Sequence, residues 1–248
     1  MAKKKKSSKF SASMFKVTGT HSPMKTNTKK EKLYYFAEKL NEEGAKSLAT
    51  ETGAEILGVS KDSLSVSKPS LKYDFYCIYE ANLAMKFVRI NNQEIGVLDS
   101  LKAAMVGKEI ITPKKGKEVP GNAITLDIIE LFDMNWDDAM VLDGTTGIQS
   151  KTIEKLLKGA GKKSATASFL KKAKISSGKM NSVAKVIRAV ETIAKKIPKD
   201  AKRVVSHELT FKSLEGYYVP TYYVNVAAGE QKRTIRINAV NKSVALKV

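Results

Sequence analysis

The stretch best equipped for chemistry is LLKGAGKKSATASFL, residues 156–170. Gly159 and Gly161 flank the small Ala160, and Lys162, Lys163, Ser164 and Ala165 follow at once to open what reads as a second helix. Glycines permit a tight turn whose amides converge, and a helix N-terminus adds unpaired N–H groups, so the arrangement suits a phosphate. A nucleotide phosphate loop would need a glycine five residues before Gly-Lys, Ser or Thr directly after the lysine, and a strand leading in. Here Leu156 holds the glycine's place, Lys163 separates Lys162 from Ser164, and the preceding residues have helical spacing. The Gly-x-Gly-x-x-Gly fingerprint fails as well, because position 164 is serine. What remains is the phosphate of a nucleic-acid backbone, or an ordinary glycine helix cap followed by a lysine-rich helix and no phosphate at all.

Charge favours the backbone phosphate. The chain carries a formal +19, from 44 basic and 25 acidic residues, an excess that an anionic partner compensates. It is segregated: residues 1–30 hold nine lysines and no acid, and residues 144–202 hold fifteen basic against three acidic side chains. Residues 111–143 run the other way, with three basic and seven acidic. The expected contacts are Lys3, Lys4, Lys5 and Lys6 in the tail, then Lys158, Gly159, Gly161, Lys162, Lys163, Lys171, Lys172, Lys174 and Lys179. Nearly all are lysines, which act as point charges on phosphate and do not read bases. Tyr217, Tyr218, Tyr222 and Tyr223 could add stacking on single-stranded bases, although strand alternation assigns at least half of them to a core.

Enzyme chemistry finds no support. His21 lies in the tail and His207 in the alternating run VVSHELTF, with no nucleophile-and-base spacing around either. Asp133, Asp137 and Asp138 lack calcium-loop spacing, so no metal and no cofactor is expected. Cys77 is the only cysteine, inside an apolar run, which excludes an intrachain disulfide and points to a reducing compartment. The lysines of MAKKKKSSK have no apolar stretch behind them, and no run approaches the roughly 18 apolar residues of a membrane span. A soluble, cytoplasmic protein is the expectation.

The elements that must position these residues read as α+β. Residues 1–28 form a flexible basic arm and 29–110 a first module, with a helix ending at Gly53, a strand at AEILGVS, and a hairpin turning at NNQE. Residues 111–143 are a linker and an acidic helical segment, 144–181 a basic helical hairpin, and 182–248 a second module with a helix over 182–197. Setting Tyr222 on Tyr79 and Asn225 on Asn82 suggests an internal repeat. The fold class is thus two helix-plus-antiparallel-sheet modules joined by a helical, lysine-rich segment.

Two resemblances follow. Residues 149–173, with two short helices around Gly159-Ala160-Gly161 and Ala165 at the packing position, resemble the helix-hairpin-helix DNA-binding motif. That implies turn amides on backbone phosphate, without base reading. Residues 182–248, and less closely 30–100, are similar to PepSY-type modules, the closing strand running from Ile235 to Val244. The first implies a non-enzymatic binder of DNA or RNA. The second implies a protein-interaction module whose charge serves an acidic protein or a membrane surface.

Overall fold

The structure, a computed structural model, describes residues 10–247. After a short 3-10 turn the elements are β1 (Lys25–Thr28), β2 (Lys32–Phe36), α1 (Glu42–Leu57), β3 (Ser65–Val66) and β4 (Ser70–Val97). Then come β5 (Ala104–Val106), β6 (Glu109–Ile111), β7 (Lys114–Lys115), β8 (Asn122–Asp143), β9 (Ile148–Gln149), α2 (Glu154–Lys158), β10 (Lys162–Ser164) and α3 (Ala167–Lys172). The last elements are α4 (Val183–Ala194), β11 (Arg203–Ala228), β12 (Gln231–Asn238) and β13 (Val244–Leu246).

This overturns the expected fold class. Strand makes up 47% and helix 19%, and one eleven-stranded mixed sheet replaces two modules joined by a helical segment. Its main path is β10-β2-β11-β4-β8-β7, with β2 parallel to β11. Two compact units divide the chain, one of residues up to 26, 83–136 and 195–209, the other of 27–82, 137–194 and 210–248.

Side-chain pairing explains the largest departures. NNQE does not turn, because Asn91 donates to Glu130 and Asn92 to Asp127, which keeps β4 extended past it. The acidic segment expected as helix is the 22-residue β8. Its acids find partners from β4 in descending order: Lys86 holds Asp133 at 3.0 Å, Arg89 holds Glu130 at 2.6 Å and Asn92 holds Asp127 at 2.5 Å. That order is the mark of an antiparallel pair, and cross-strand contacts of this kind override weak helical propensity. In 70–97 there is one unbroken strand, whereas 213–244 contains three.

Helix α1 begins at the Asn41 cap, whose side chain accepts from the Gly44 amide at 2.9 Å. It does not stop at Gly53, where a Cβ would lie 2.9 Å from Leu64 and 3.0 Å from Val226, so glycine there permits close packing. The expected strand at AEILGVS is the end of this helix, which closes at Gly58 with φ +65°.

The tyrosine run of β11 is buried on both faces. Tyr222, Val224 and Val226 pack with Ala45 and Ala49 of α1, while Tyr217 and Val219 pack with Ile153 and with Leu157 of α2. The four tyrosines considered for base stacking are between 0% and 9% exposed. They are core residues, each favoured inside by about 2 kcal/mol of apolar burial.

In the other unit Met85, Phe87 and Val204 gather with Phe132 and Met134. Part of the expected arm is docked here. The Val204 amide donates to His21 Nδ1 at 3.0 Å, Ser22 donates to the Val204 carbonyl, and Arg203 donates to the carbonyls of Ser13 and Met14.

Cys77 is wholly buried in β4, and burial, helped by Glu31 and Glu215, pushes its thiol up to about 12. A thiol reagent at pH 8 should therefore leave the folded chain unlabelled over the time in which denatured chain reacts fully. The raised value also fixes a sign. Cys77 favours the fold at neutral pH, and that contribution fades as pH rises from the ordinary thiol range toward 12.

Candidate nucleic-acid interface

The glycine turn is built differently from the expectation. Helix α2 ends at Lys158, Gly161 supplies the turn with φ +96°, and the chain then enters β10 where a helix was expected. Helix α3 starts only at Ala167, after Thr166 caps it by accepting from the Phe169 amide. The Gly159 amide donates to Leu156, and Lys162–Ser164 pair with β2. The Gly159 amide and the side of β10 that faces β2 are thus engaged within the fold.

The side chains sort into two groups. Lys158 is bound to Glu154 at 2.6 Å, and that hydrogen bond holds its ammonium above the ordinary lysine range. Lys162 turns inward, its Nζ 4.8 Å from the Tyr34 ring centre and 3.5 Å from the Tyr217 hydroxyl. Lys179 lies along the Gly147 turn, its Cβ and Cδ each 3.6 Å from where a Cβ of Gly147 would sit. Lys163, Lys171, Lys172 and Lys174 are exposed and make none of these contacts, while Lys158 and Lys179 are also exposed. Lys3–Lys6 fall outside the described residues.

Those four lysines share a neighbourhood with rings that the sequence reading passed over. Lys163 pairs in register with Tyr35. The Tyr35 ring stacks on Phe169 at 4.1 Å, and Tyr73 meets Phe169 edge-on at 5.0 Å. Lys171 and Lys172 close the last turn of α3, which carries Phe169, and the Lys174 carbonyl accepts from the Tyr73 amide. A cavity of about 340 Å³ opens between Tyr73, Thr166, Ser168, Phe169, Lys172 and Ala173. All three rings remain partly exposed. Burial, and after it the charge of Glu38, raises the Tyr73 phenol above the ordinary range.

Comparison with known families, with curated proteins and with solved structures yields no match.

Two other polar features account for themselves. The cavity of about 260 Å³ beside Arg236 is lined by Asp74, Asp143, Thr221 and Asn238, and its charges satisfy one another. Asp137 is taken by Lys212 and Asn82, and Asp138 by the Tyr79 hydroxyl, so these acids tie strands together. Among the described residues no group of three or more ligating side chains could hold a metal, and no helix is long and apolar enough to cross a membrane.

Proposed function

We propose that this chain is a non-enzymatic nucleic-acid-binding protein that contacts backbone phosphates without reading sequence and favours single strands. One observation carries the proposal. Of the basic residues between 151 and 202, only Lys158 has an ion-pair partner among the described residues, whereas Glu130, Asp133 and Asp137 of β8 are each matched by a cation of their own sheet. A fold that neutralises its acids and leaves one lysine-rich segment unpaired is set up for an outside anion.

The rings give the preference for single strands. An unstacked base contributes about 1–3 kcal/mol on an aromatic platform whatever its identity, while phosphates carry no base identity. Phe169, Tyr35 and Tyr73, edged by Lys163, Lys171, Lys172 and Lys174, supply both kinds of contact. Duplex DNA can use only the lysines.

Fluorescence anisotropy with labelled oligothymidine and with a random duplex, each across a salt series, tests this. The triple change Lys171→Ala, Lys172→Ala and Lys174→Ala should flatten the salt dependence by up to about 0.7 log unit per lost contact on single strands. Phe169→Leu should weaken oligothymidine binding and leave duplex binding unchanged. No binding to either nucleic acid at low salt, or a salt slope untouched by the triple change, would overturn the reading.

A further inference from the structure

The charges around the Arg236 cavity account for themselves, but its neutral polar groups do not. Strands β4, β11 and β12 wall this space of about 260 Å³ with Asp74 and Tyr76, with Thr221, and with Arg236 and Asn238. The exposed Thr152, Asn241 and Ser243 stand at its mouth. Arg236 spends Nε and Nη2 on Asp74, while Nη1 lies 3.6 Å from Asp143 Oδ2, too far for a hydrogen bond. Asn238 uses its Oδ1 to accept the Val240 and Asn241 amides. Tyr76 and Asn238 are only 8% and 7% exposed, yet among the described residues the Tyr76 hydroxyl and the Asn238 Nδ2 have no hydrogen-bond partner. Buried polar groups are nearly always bonded to protein, water or ligand, so two buried donors without a protein partner call for one inside the cavity.

Donors and acceptors select the chemistry. Burial, and after it Asp143 and Asp74, keeps the Tyr76 phenol protonated, so Tyr76, Asn238 and Arg236 Nη1 all offer donors. Asp143 Oδ2 needs a donor in return. An ammonium has no acceptor to give. An ionised carboxylate has no donor, and any anion would enter a cavity whose two carboxylates outnumber its one guanidinium. A hydroxyl is both donor and acceptor and carries no charge. The one aromatic residue in the lining, Tyr76, belongs to the core cluster of Phe36 and Val141, which leaves a planar base no free ring to stack on. Ile153 and Val244 give the lining an apolar patch for the C–H face of a saturated ring. At just under the roughly 300–1,000 Å³ of ordinary ligand pockets, the space admits about one such ring.

We propose that this cavity binds a neutral, polyhydroxylated molecule the size of a single sugar ring, its hydroxyls accepting from Tyr76, Asn238 and Arg236 and donating to Asp143. The site shares no residue with the Tyr35–Phe169 surface, so this inference and the nucleic-acid reading can fail separately.

Saturation-transfer NMR of the full chain with D-glucose, D-galactose, D-ribose and myo-inositol, each alone, tests the proposal. At least one of the four should give a saturable signal, and an excess of acetate, thymine or putrescine should not displace it. Tyr76→Phe removes a hydroxyl that has no partner in the free protein. That variant should melt no lower than the parent and bind the polyol roughly fivefold more weakly, the usual effect of one neutral hydrogen bond. Displacement by acetate, thymine or putrescine would assign the cavity to an anion, a base or a cation and overturn the proposal. Unchanged polyol affinity of Tyr76→Phe would overturn it as well. So would the absence of any polyol signal, which would leave the cavity to ordered water.

Discussion

Asp74→Ala is expected to lower the unfolding free energy by about 3–5 kcal/mol, the cost of leaving a buried guanidinium without its carboxylate. Asp74 on β4 and Arg236 on β12 have side chains only 1% and 10% exposed. Arg236 sets Nη2 at 2.6 Å and Nε at 3.2 Å from one carboxylate oxygen of Asp74, and the Tyr223 hydroxyl donates to the other at 2.5 Å. Burial alone would oppose the charge on Arg236, yet the Asp74 carboxylate holds the guanidinium protonated beyond its ordinary range. Asp143 remains nearby, its Oδ2 3.6 Å from Nη1, but that contact is longer than a hydrogen bond and the carboxylate is held in place through Oδ1 by the Thr145 and Thr146 amides.

Most of this cost comes from the stranded cation and little from the net worth of the pair. The double change Asp74→Leu/Arg236→Met should therefore recover much of the loss, since a buried ion pair and a well-packed apolar pair are often of similar stability. Urea unfolding of the parent, both single variants and the double variant closes the cycle. A single-variant loss below about 1 kcal/mol would mean that water in the neighbouring 260 Å³ cavity compensates the guanidinium.

What could be read from the sequence was local. The helix expected over 182–197 is α4, because its apolar spacing of 3 and 4 needs no distant partner. The lysine segregation needed only counting. Pairings between remote segments were not legible. Nothing in KYDFYCIYEANLAMKFVRINNQEIGV announces a strand of 28 residues, since its continuity depends on Asp127, Glu130 and Asp133 meeting it from another segment. Nor does the sequence say that α1 covers the strands of the far C-terminus.

The interface shows the same division. A glycine pair before two lysines drew attention to the turn, but the helix start was available one step later. Thr166 is a better N-cap than Gly161, and moving the boundary there turns Lys162 and Lys163 into strand residues. Strand alternation in KLYYF then sends Tyr34 and Phe36 to one face and Tyr35 to the other, beside Lys163. That Phe169 and Tyr73 would join Tyr35 could not be derived, since it requires β4 and α3 to meet.

Gly144→Ala should cost about 2–3 kcal/mol and loosen the lysine-rich segment from the sheet, for steric reasons alone. Overfilling a packed site usually costs 1–3 kcal/mol, and backbone obstacles put this case at the upper end. A Cβ on Gly144 would lie 2.4 Å from the Met180 carbonyl oxygen and 2.7 Å from both the carbonyl oxygen and a ring carbon of Phe75. One on Gly178 would lie 2.5 Å from the Gly144 carbonyl oxygen. The two glycines thus permit one seam, in which the Gly144 amide donates to Phe75 and the Met180 amide donates to Gly144. Opening it lengthens both hydrogen bonds and shifts Phe75, which is fully buried. Gly161→Ala makes the comparison. With φ +96° and nothing within 4 Å, it should cost only the left-handed penalty of about 1–2 kcal/mol. Thermal melts of the three variants should therefore place Gly144→Ala and Gly178→Ala well below Gly161→Ala. Because the seam anchors the chain a few residues beyond Lys174, the first two should also weaken oligothymidine binding at temperatures where they are still folded. Equal melting of all three would show that residues 178–180 yield to a methyl group, and the segment would then owe its position to the Tyr73–Lys174 hydrogen bond and the Phe169 rings instead.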